Sequence, residues 1–320
     1  MCGIVGYIGK EQAAPIILDG LSKLEYRGYD SAGMAVFDGK QVNVTKSVGR
    51  LKVLEELTHG GATMPGTVGI GHTRWATHGI PNDVNSHPHF NKEKTITVVH
   101  NGIIENYIPL RNKLLKKGYE FVSETDTEVV AQLLDYYYSG NPLETILKVL
   151  HRIEGSYALG IMFADHPGEL FAARKGSPLI VGQSESGCFI ASDVPAILRY
   201  TRKVYFVEEQ EVVRLEPDHI HFYTLDEEEI TKEPTIIEWD ANAAEKGGYE
   251  HFMLKEMYEQ PKTVTDTLMP RLKKDKIEIE ELGLTDEEIL KLRKIHIVAC
   301  GSAYHAGVTG KYVLEGLARI

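Results

Sequence analysis

The chain has 320 residues, room for roughly two domains, and at 42% hydrophobic and 25% charged it excludes a disordered or fibrous polypeptide. Its 35 basic and 46 acidic residues leave a net charge of −11. That surface repels phosphate backbones and anionic lipid, so neither nucleic acid nor a membrane is an expected partner.

Short segments rich in Val, Ile, Tyr or Phe at 5–8, 67–70 and 95–99 read as strands. Helical patterns at 13–24, 107–117, 126–138 and 143–153 lie among and after them. In the second of these, Leu110, Leu114 and Lys117 form one stripe and Gly118 supplies the stop. Further strands are expected at 157–163, 170–173, 179–181, 189–191, 211–215 and 219–223. The loops between these later strands are too short for helical crossovers, so they must pair antiparallel. Strands with grouped helices predict an α+β sandwich rather than a doubly wound sheet. The acidic cluster 226–229 reads as a solvated turn.

The character changes at Trp239. Residues 1–239 read as one domain, and the Ala-, Asn- and Gly-rich stretch 240–248 as a linker. Residues 249–320 begin with a helical pattern to about 272. An apolar strand at 294–299 then leads through Cys300, Gly301, Ser302 and on to Gly307 into a helical run ending at Ile320. This is the opening of a parallel α/β domain; one such unit cannot cover both faces of its strand, so the domain is expected to be incomplete.

No apolar run reaches the roughly 18 residues of a membrane span, and the N-terminus lacks a basic start and long apolar stretch. Cys2, Cys188 and Cys300 are too scattered for a disulfide framework or a zinc site, so a reducing cytoplasm is expected. His72, His78, His87, His89 and His100 have no metal-ligand spacing and read as structural or loop histidines. No metal and no cofactor is expected.

Cys2 follows Met1 directly, and removal of Met1 would leave a thiol and a free α-amine on one residue. The two titrate at about 8.5 and about 7.7–8.0, so they form a compact nucleophile and base near neutral pH. The alternative is a small cysteine starting a strand. In the run Gly71 to Gly79, Arg74 offers a planar fork for a carboxylate and Trp75 a face that excludes water. The alternative is a surface loop.

Asn101–Gly102 between apolar runs marks a type I′ hairpin or, alternatively, an oxyanion hole built from the Asn101 amide and the Gly102 N–H. Thr125 and Glu128 fit a capping box that puts Asp126 at the first helical position, where an ionised acid suits a substrate ammonium or merely the helix dipole. The loop at Cys300 to Gly307 joins a strand to a helix and reads as a sugar-phosphate site or an ordinary turn.

Together, the strings 1–9, 24–33, the Arg74 loop, 100–106, 123–128, 239–246, 249–256 and 300–307 closely resemble the glutamine–fructose-6-phosphate aminotransferase (glucosamine-6-phosphate synthase) family. The early strings are shared by other class II glutamine amidotransferases. The resemblance implies an N-terminal-nucleophile glutaminase domain, a four-layer αββα sandwich, followed by sugar-isomerase domains. It implies Cys2 as nucleophile with its own α-amine as base, and Asn101 and Gly102 as the oxyanion hole. It places Arg74, Thr77 and His78 around the glutamine α-carboxylate and Asp126 on the α-ammonium. Trp75 resembles the family's ammonia gate, Arg27 a support for the nucleophile loop, and Ser302 part of the sugar-phosphate loop. Glutamine and fructose 6-phosphate are the implied substrates, and the family is homodimeric. The isomerase base and the lysine that carries the sugar have no counterpart before Ile320, so glutaminase activity alone is expected of this chain. The competing readings are another class II amidotransferase, such as phosphoribosyl-pyrophosphate amidotransferase, and a non-catalytic ligand-sensing fragment.

Overall fold

The structure, a computed structural model, describes residues 2–238, 248–274, 276–279 and 282–320. The expected linker lies, except for Gly248, outside the described residues. Contacts divide the chain into two units, Met1–Gly247 and Gly248–Ile320.

The first unit runs β1 (Gly3–Gly9), α1 (Ala13–Leu24), β2 (Ser31–Phe37), β3 (Val42–Val48), α2 (Leu51–Leu57), β4 (Val68–Arg74), β5 (His89–Phe90) and β6 (Ile96–Ile104). Three helices follow, α3 (Tyr107–Leu115), α4 (Thr127–Tyr137) and α5 (Pro142–Leu150). Then come β7 (Gly155–Phe163), β8 (Leu170–Lys175), β9 (Ile180–Gln183), β10 (Gly187–Ala191), β11 (Lys203–Phe206), β12 (Val212–Leu215), β13 (Ile220–Tyr223), β14 (Glu229–Ile230) and β15 (Thr235–Ile236).

These strands form two sheets, in the orders β15-β11-β9-β10-β1-β4-β2-β3 and β14-β13-β12-β8-β7-β6-β5. Their ladders are antiparallel, as the short loops require. Strand alternation sorts the apolar side chains into three cores. On β1, Val5 and Tyr7 face α1 with Ile17 and Leu21, while Ile4 and Ile8 face the other sheet. On β7, Ala158 and Met162 meet them between the sheets, and Leu159, Ile161 and Phe163 pack under α4 and α5. Three cores between four layers make this the αββα sandwich.

Three local expectations are corrected. Asn101–Gly102 is no hairpin turn: β6 continues through both residues to Ile104, because β7 pairs with it along its whole length, Asn101 opposite Ala158 and Gly102 opposite Tyr157. A ladder of nine residue pairs outweighs a two-residue turn signal.

The second unit holds α6 (Phe252–Leu268), a two-residue ladder of β16 (Leu272–Lys273) with β17 (Lys276–Ile277), α7 (Asp286–Lys291) and α8 (Gly301–Val313). The strand expected at 294–299 does not form among the described residues. A parallel strand needs hydrogen-bonded neighbours and cover on both faces. Here Val298 is 95% exposed, and Ile297 instead lies close against Gly307 of α8. The stretch expected as a strand-to-helix loop is itself helical from Gly301.

Candidate active site

β1 carries Cys2 to the end of the eight-stranded sheet, beside the end of β4 and the loop after it. There the Trp75 N–H donates to Cys2 Sγ at 3.2 Å, and the thiol faces the Trp75 carbonyl oxygen at 3.5 Å. Burial pushes the Cys2 thiol up, with the Trp75 N–H and the Arg74 charge pulling the other way. A thiol held up in this way stays protonated at neutral pH and needs a base to act as a nucleophile.

Cys2 opens into a cavity of about 330 Å³. Arg74, Trp75, Thr77 and His78 line it, as do Asn101, Gly102 and Asp126, with Arg27 at its margin. The structure therefore brings together every sequence-predicted residue of the first unit. Ser302 belongs to the other unit, where it is the second residue of α8 and exposed.

Arg74 is buried at the C-terminal end of β4, one residue before Trp75. Its Nη2 donates to the carbonyl oxygens of His78 and Gly79, which curls the loop around the guanidinium. Its Nη1 is buried with no partner among the described residues. A buried guanidinium with a donor unspent is suited to a carboxylate. Asp126 is the N-cap residue just before α4, not its first helical residue as expected, and is also buried; its Oδ2 accepts from the Ile104 N–H at 2.7 Å, tying the helix start to the end of β6. The expected capping box is only half built. The Glu128 N–H lies 3.4 Å from Thr125 Oγ1, but the Glu128 carboxylate takes the N–H groups of Val122 and Ser123 instead.

Asn101 Nδ2 donates to the Cys2 carbonyl oxygen at 3.1 Å, so its amide stands directly beside the thiol residue. Gly102 has φ +136°, and a Cβ there would lie 2.1 Å from the Ser156 carbonyl oxygen. Only glycine fits. Arg27 pairs with Asp193 at 2.9 Å and donates to the Ser192 carbonyl oxygen at 3.3 Å. The Ser192 hydroxyl in turn accepts from the Ile4 N–H at 3.0 Å, two residues from Cys2. Trp75 is 48% exposed and stands edge-on to Tyr29 at 5.4 Å.

Sequence reasoning missed two supports. Asp30 accepts from the Ala76 N–H and holds the loop that carries Trp75; it sits inside the string 24–33, where an acid between two loops was the available signal. The histidines at 72, 87, 89 and 100 are a single buried group. His72 and His87 stack at 4.1 Å, His87 meets His89 at 4.8 Å, and the His100 N–H donates to His87 Nδ1. Their scattered positions hid this, and the pair at 87 and 89 was the only hint. Among the described residues, Glu216, Asp218 and His219 bring ligand atoms within 4.8 Å of one another, but none of them lines the cavity.

Burial lowers all four of these histidines, His72 to about 3. Unfolding returns each to the ordinary value near 6.5, so below that pH the unfolded chain binds the extra protons. The stability they confer is full above pH 6.5 and is lost as pH falls. Each proton adds a slope of about 1.4 kcal/mol per pH unit; the exposed His219, held up by Asp218, acts in the opposite sense. The denaturant midpoint should therefore drop between pH 7.5 and 5.5, above the range where carboxylates titrate. An equal or higher midpoint at pH 5.5 would contradict this.

The αββα sandwich, with Cys2 lining its cavity, is the fold of the class II glutamine amidotransferases. The glutamine amidotransferase domain family matches residues 72–199. Among solved structures, glutamine phosphoribosylpyrophosphate amidotransferase from B. subtilis, complexed with ADP and GMP, is 26% identical with a TM-score of 0.62, covering 70% of this chain and 49% of its own. A class II glutamine aminotransferase domain protein from Silicibacter pomeroyi shares the fold at 14% identity and a TM-score of 0.50, over 70% of this chain and 99% of its own. The glutamine–fructose-6-phosphate aminotransferases (isomerising) of Clostridium acetobutylicum and Aquifex aeolicus are 58% and 46% identical over 100% of this chain, which covers 53% of each. The chain spans about half the length of the curated relatives it matches, all of them glutamine–fructose-6-phosphate aminotransferases. No helix among the described residues is long and apolar enough to cross a membrane.

Proposed function

We propose that residues 2–238 hydrolyse glutamine to glutamate and ammonia, and that in the whole protein the ammonia is transferred to fructose 6-phosphate to form glucosamine 6-phosphate. The observation that carries this reading is one cavity holding the Cys2 thiol, the unpartnered Nη1 of Arg74 and the Asp126 carboxylate. A glutamine zwitterion presents a carboxylate, an ammonium and a carboxamide, and these three groups are its complements.

In this reading Met1 is removed and the Cys2 α-amine takes the thiol proton. The Cys2 sulfur attacks the carboxamide carbon while Arg74, with Thr77 and His78, holds the α-carboxylate and Asp126 the α-ammonium. The carbonyl oxygen becomes an oxyanion received by Asn101 Nδ2 and the Gly102 N–H. The amine returns the proton to the leaving nitrogen, ammonia departs past Trp75, and a thioester remains for water to cleave. Arg27 steadies the nucleophile through Ser192 and Ile4. Ser302 belongs to the sugar-phosphate site, and the whole protein is a cytoplasmic homodimer. The 46–58% identity to named aminotransferases supports this assignment.

The test is glutamate release by the purified chain and by Asp126→Asn. A charge-assisted contact contributes about 1.5–3 kcal/mol, so the KM for glutamine should rise roughly ten- to a hundredfold. Asn keeps an oxygen for the Ile104 N–H, so the thermal midpoint should hold. No glutamate release by the unmodified chain would refute the reading; an unchanged KM in Asp126→Asn would leave Asp126 as a helix cap only.

A further inference from the structure

We propose that His72 is a positioning residue: its Nε2–H fixes the Asn101 amide with the nitrogen turned toward Cys2, the orientation an oxyanion donor requires. This rests on the glutaminase reading above and adds to it the group that sets the direction of the proposed oxyanion hole.

An asparagine amide presents an acceptor on one side and two donors on the other, and nothing in its own shape decides which way it faces. Only the nitrogen side stabilises an oxyanion; the oxygen side repels it. The neighbours of His72 decide the matter. Nε2 lies 3.1 Å from the His100 carbonyl oxygen, and a carbonyl only accepts. Nε2 therefore carries the proton. The same nitrogen lies 2.9 Å from the Asn101 side chain, so the atom facing it must be an acceptor, Oδ1. The amide nitrogen is then left on the opposite side, where it donates to the Cys2 carbonyl oxygen at 3.1 Å.

Three features keep the imidazole in this state. His72 is 1% exposed. Its Nδ1 is buried with no partner among the described residues, and its ring stacks on His87, so Nδ1 has no acceptor to which a proton could be directed. Burial lowers its pKa to about 3, which keeps the ring neutral throughout the working range. The contact also joins the two sheets, since His72 is on β4 of one and Asn101 on β6 of the other. Without the Nε2–H, the bond to the Cys2 carbonyl oxygen is left to orient the amide alone.

The experiment compares His72→Met, which keeps bulk and removes the donor, with His72→Gln, whose amide nitrogen reaches the place of Nε2. Asn101→Ala and the double variant Asn101→Ala/His72→Met complete the set. Steady-state glutaminase kinetics are combined with inhibition by glutamate and by glutamate γ-semialdehyde, an aldehyde that adds reversibly to a thiol and forms an oxyanion. His72→Met should lose about 10²-fold in kcat, with KM and glutamate inhibition within about threefold and aldehyde inhibition weakened about as much as kcat. His72→Gln should recover at least about tenfold of that loss, and His72→Met should add nothing on the Asn101→Ala background. A His72→Met enzyme as fast as the unmodified one would overturn the proposal. So would a loss that multiplies with Asn101→Ala, or a KM effect equal to the kcat effect. Should His72→Met fail to fold, His72→Gln and His72→Asn carry the test, because Asn presents its N–H only near Nδ1. Gln active with Asn impaired supports the proposal, and equal activities overturn it. An unmodified chain without glutaminase activity refutes the underlying reading instead, which separates the two failures.

Discussion

Cys2→Ala should abolish glutamate release, by at least about 10⁴-fold, without loss of the folded state. Removing a nucleophile from a unit of interdependent groups costs about as much as removing the whole unit, and only the background due to binding survives. Here that background comes from Arg74, Asp126 and the Asn101 amide, none of which depends on the thiol for its position. Arg74 is held by the His78 and Gly79 carbonyl oxygens, and Asp126 by the Ile104 N–H. Asn101 is held from the other sheet and grips the Cys2 backbone carbonyl, which alanine keeps. Alanine should therefore bind glutamine with near-normal affinity while failing to cleave it. Glutamine binding by calorimetry together with glutamate release measures both halves. Residual turnover within about tenfold of the unmodified chain would mean that the sulfur is not the nucleophile.

Gly102→Ala should lower kcat by about 10²–10³-fold, the cost of one oxyanion-hole donor. The physical reason is local. At φ +136° a Cβ would lie 2.1 Å from the Ser156 carbonyl oxygen and 3.0 Å from His100 Nε2, and the first of these is backbone of the paired strand. β6 cannot relax there without breaking its ladder with β7, so the peptide carrying the Gly102 N–H must turn. Strain of this kind costs of order 1–3 kcal/mol, so the thermal midpoint should fall as well. Loss of stability with kcat intact would keep glycine as a packing requirement and remove its N–H from the proposed oxyanion hole.

Much of the fold is legible because its strands alternate. Tyr157, Leu159, Ile161 and Phe163 fill one core while Ala158 and Met162 fill the next, and that pattern is visible in the letters. β2 was illegible for a physical reason. It lies between β3 and β4, where Gly33 has no room for a side chain, since a Cβ would lie 2.2 Å from the His87 carbonyl oxygen. Small residues are what such a strand needs, and they carry little strand signal. The Asn101–Gly102 pair misled because local turn chemistry was read without the nine-residue partner strand that overrides it. The strand expected at 294–299 failed for the converse reason: its apolar residues predict a strand only if neighbouring strands exist.

Candidate-site residues were readable where one short string holds both the chemistry and the scaffold, as in the run from Arg74 to Gly79. They were unreadable where the scaffold comes from distant strands. His72 meets Asn101 only because two sheets stack, and Arg27 finds Asp193 across 166 residues of chain.

The account stands or falls on Cys2 as an N-terminal nucleophile. The most direct measurement is intact-mass and peptide mapping of the purified chain after reaction with a glutamine-analogue electrophile, with and without excess glutamine. Cys188 is buried and its thiol is pushed up to about 12, whereas Cys300 is exposed and belongs to the second unit. The predicted result is a chain that begins at Cys2 and carries one adduct, on Cys2, which glutamine prevents. An adduct on Cys188 or Cys300 with Cys2 untouched, or full activity in a chain that retains Met1, would contradict it.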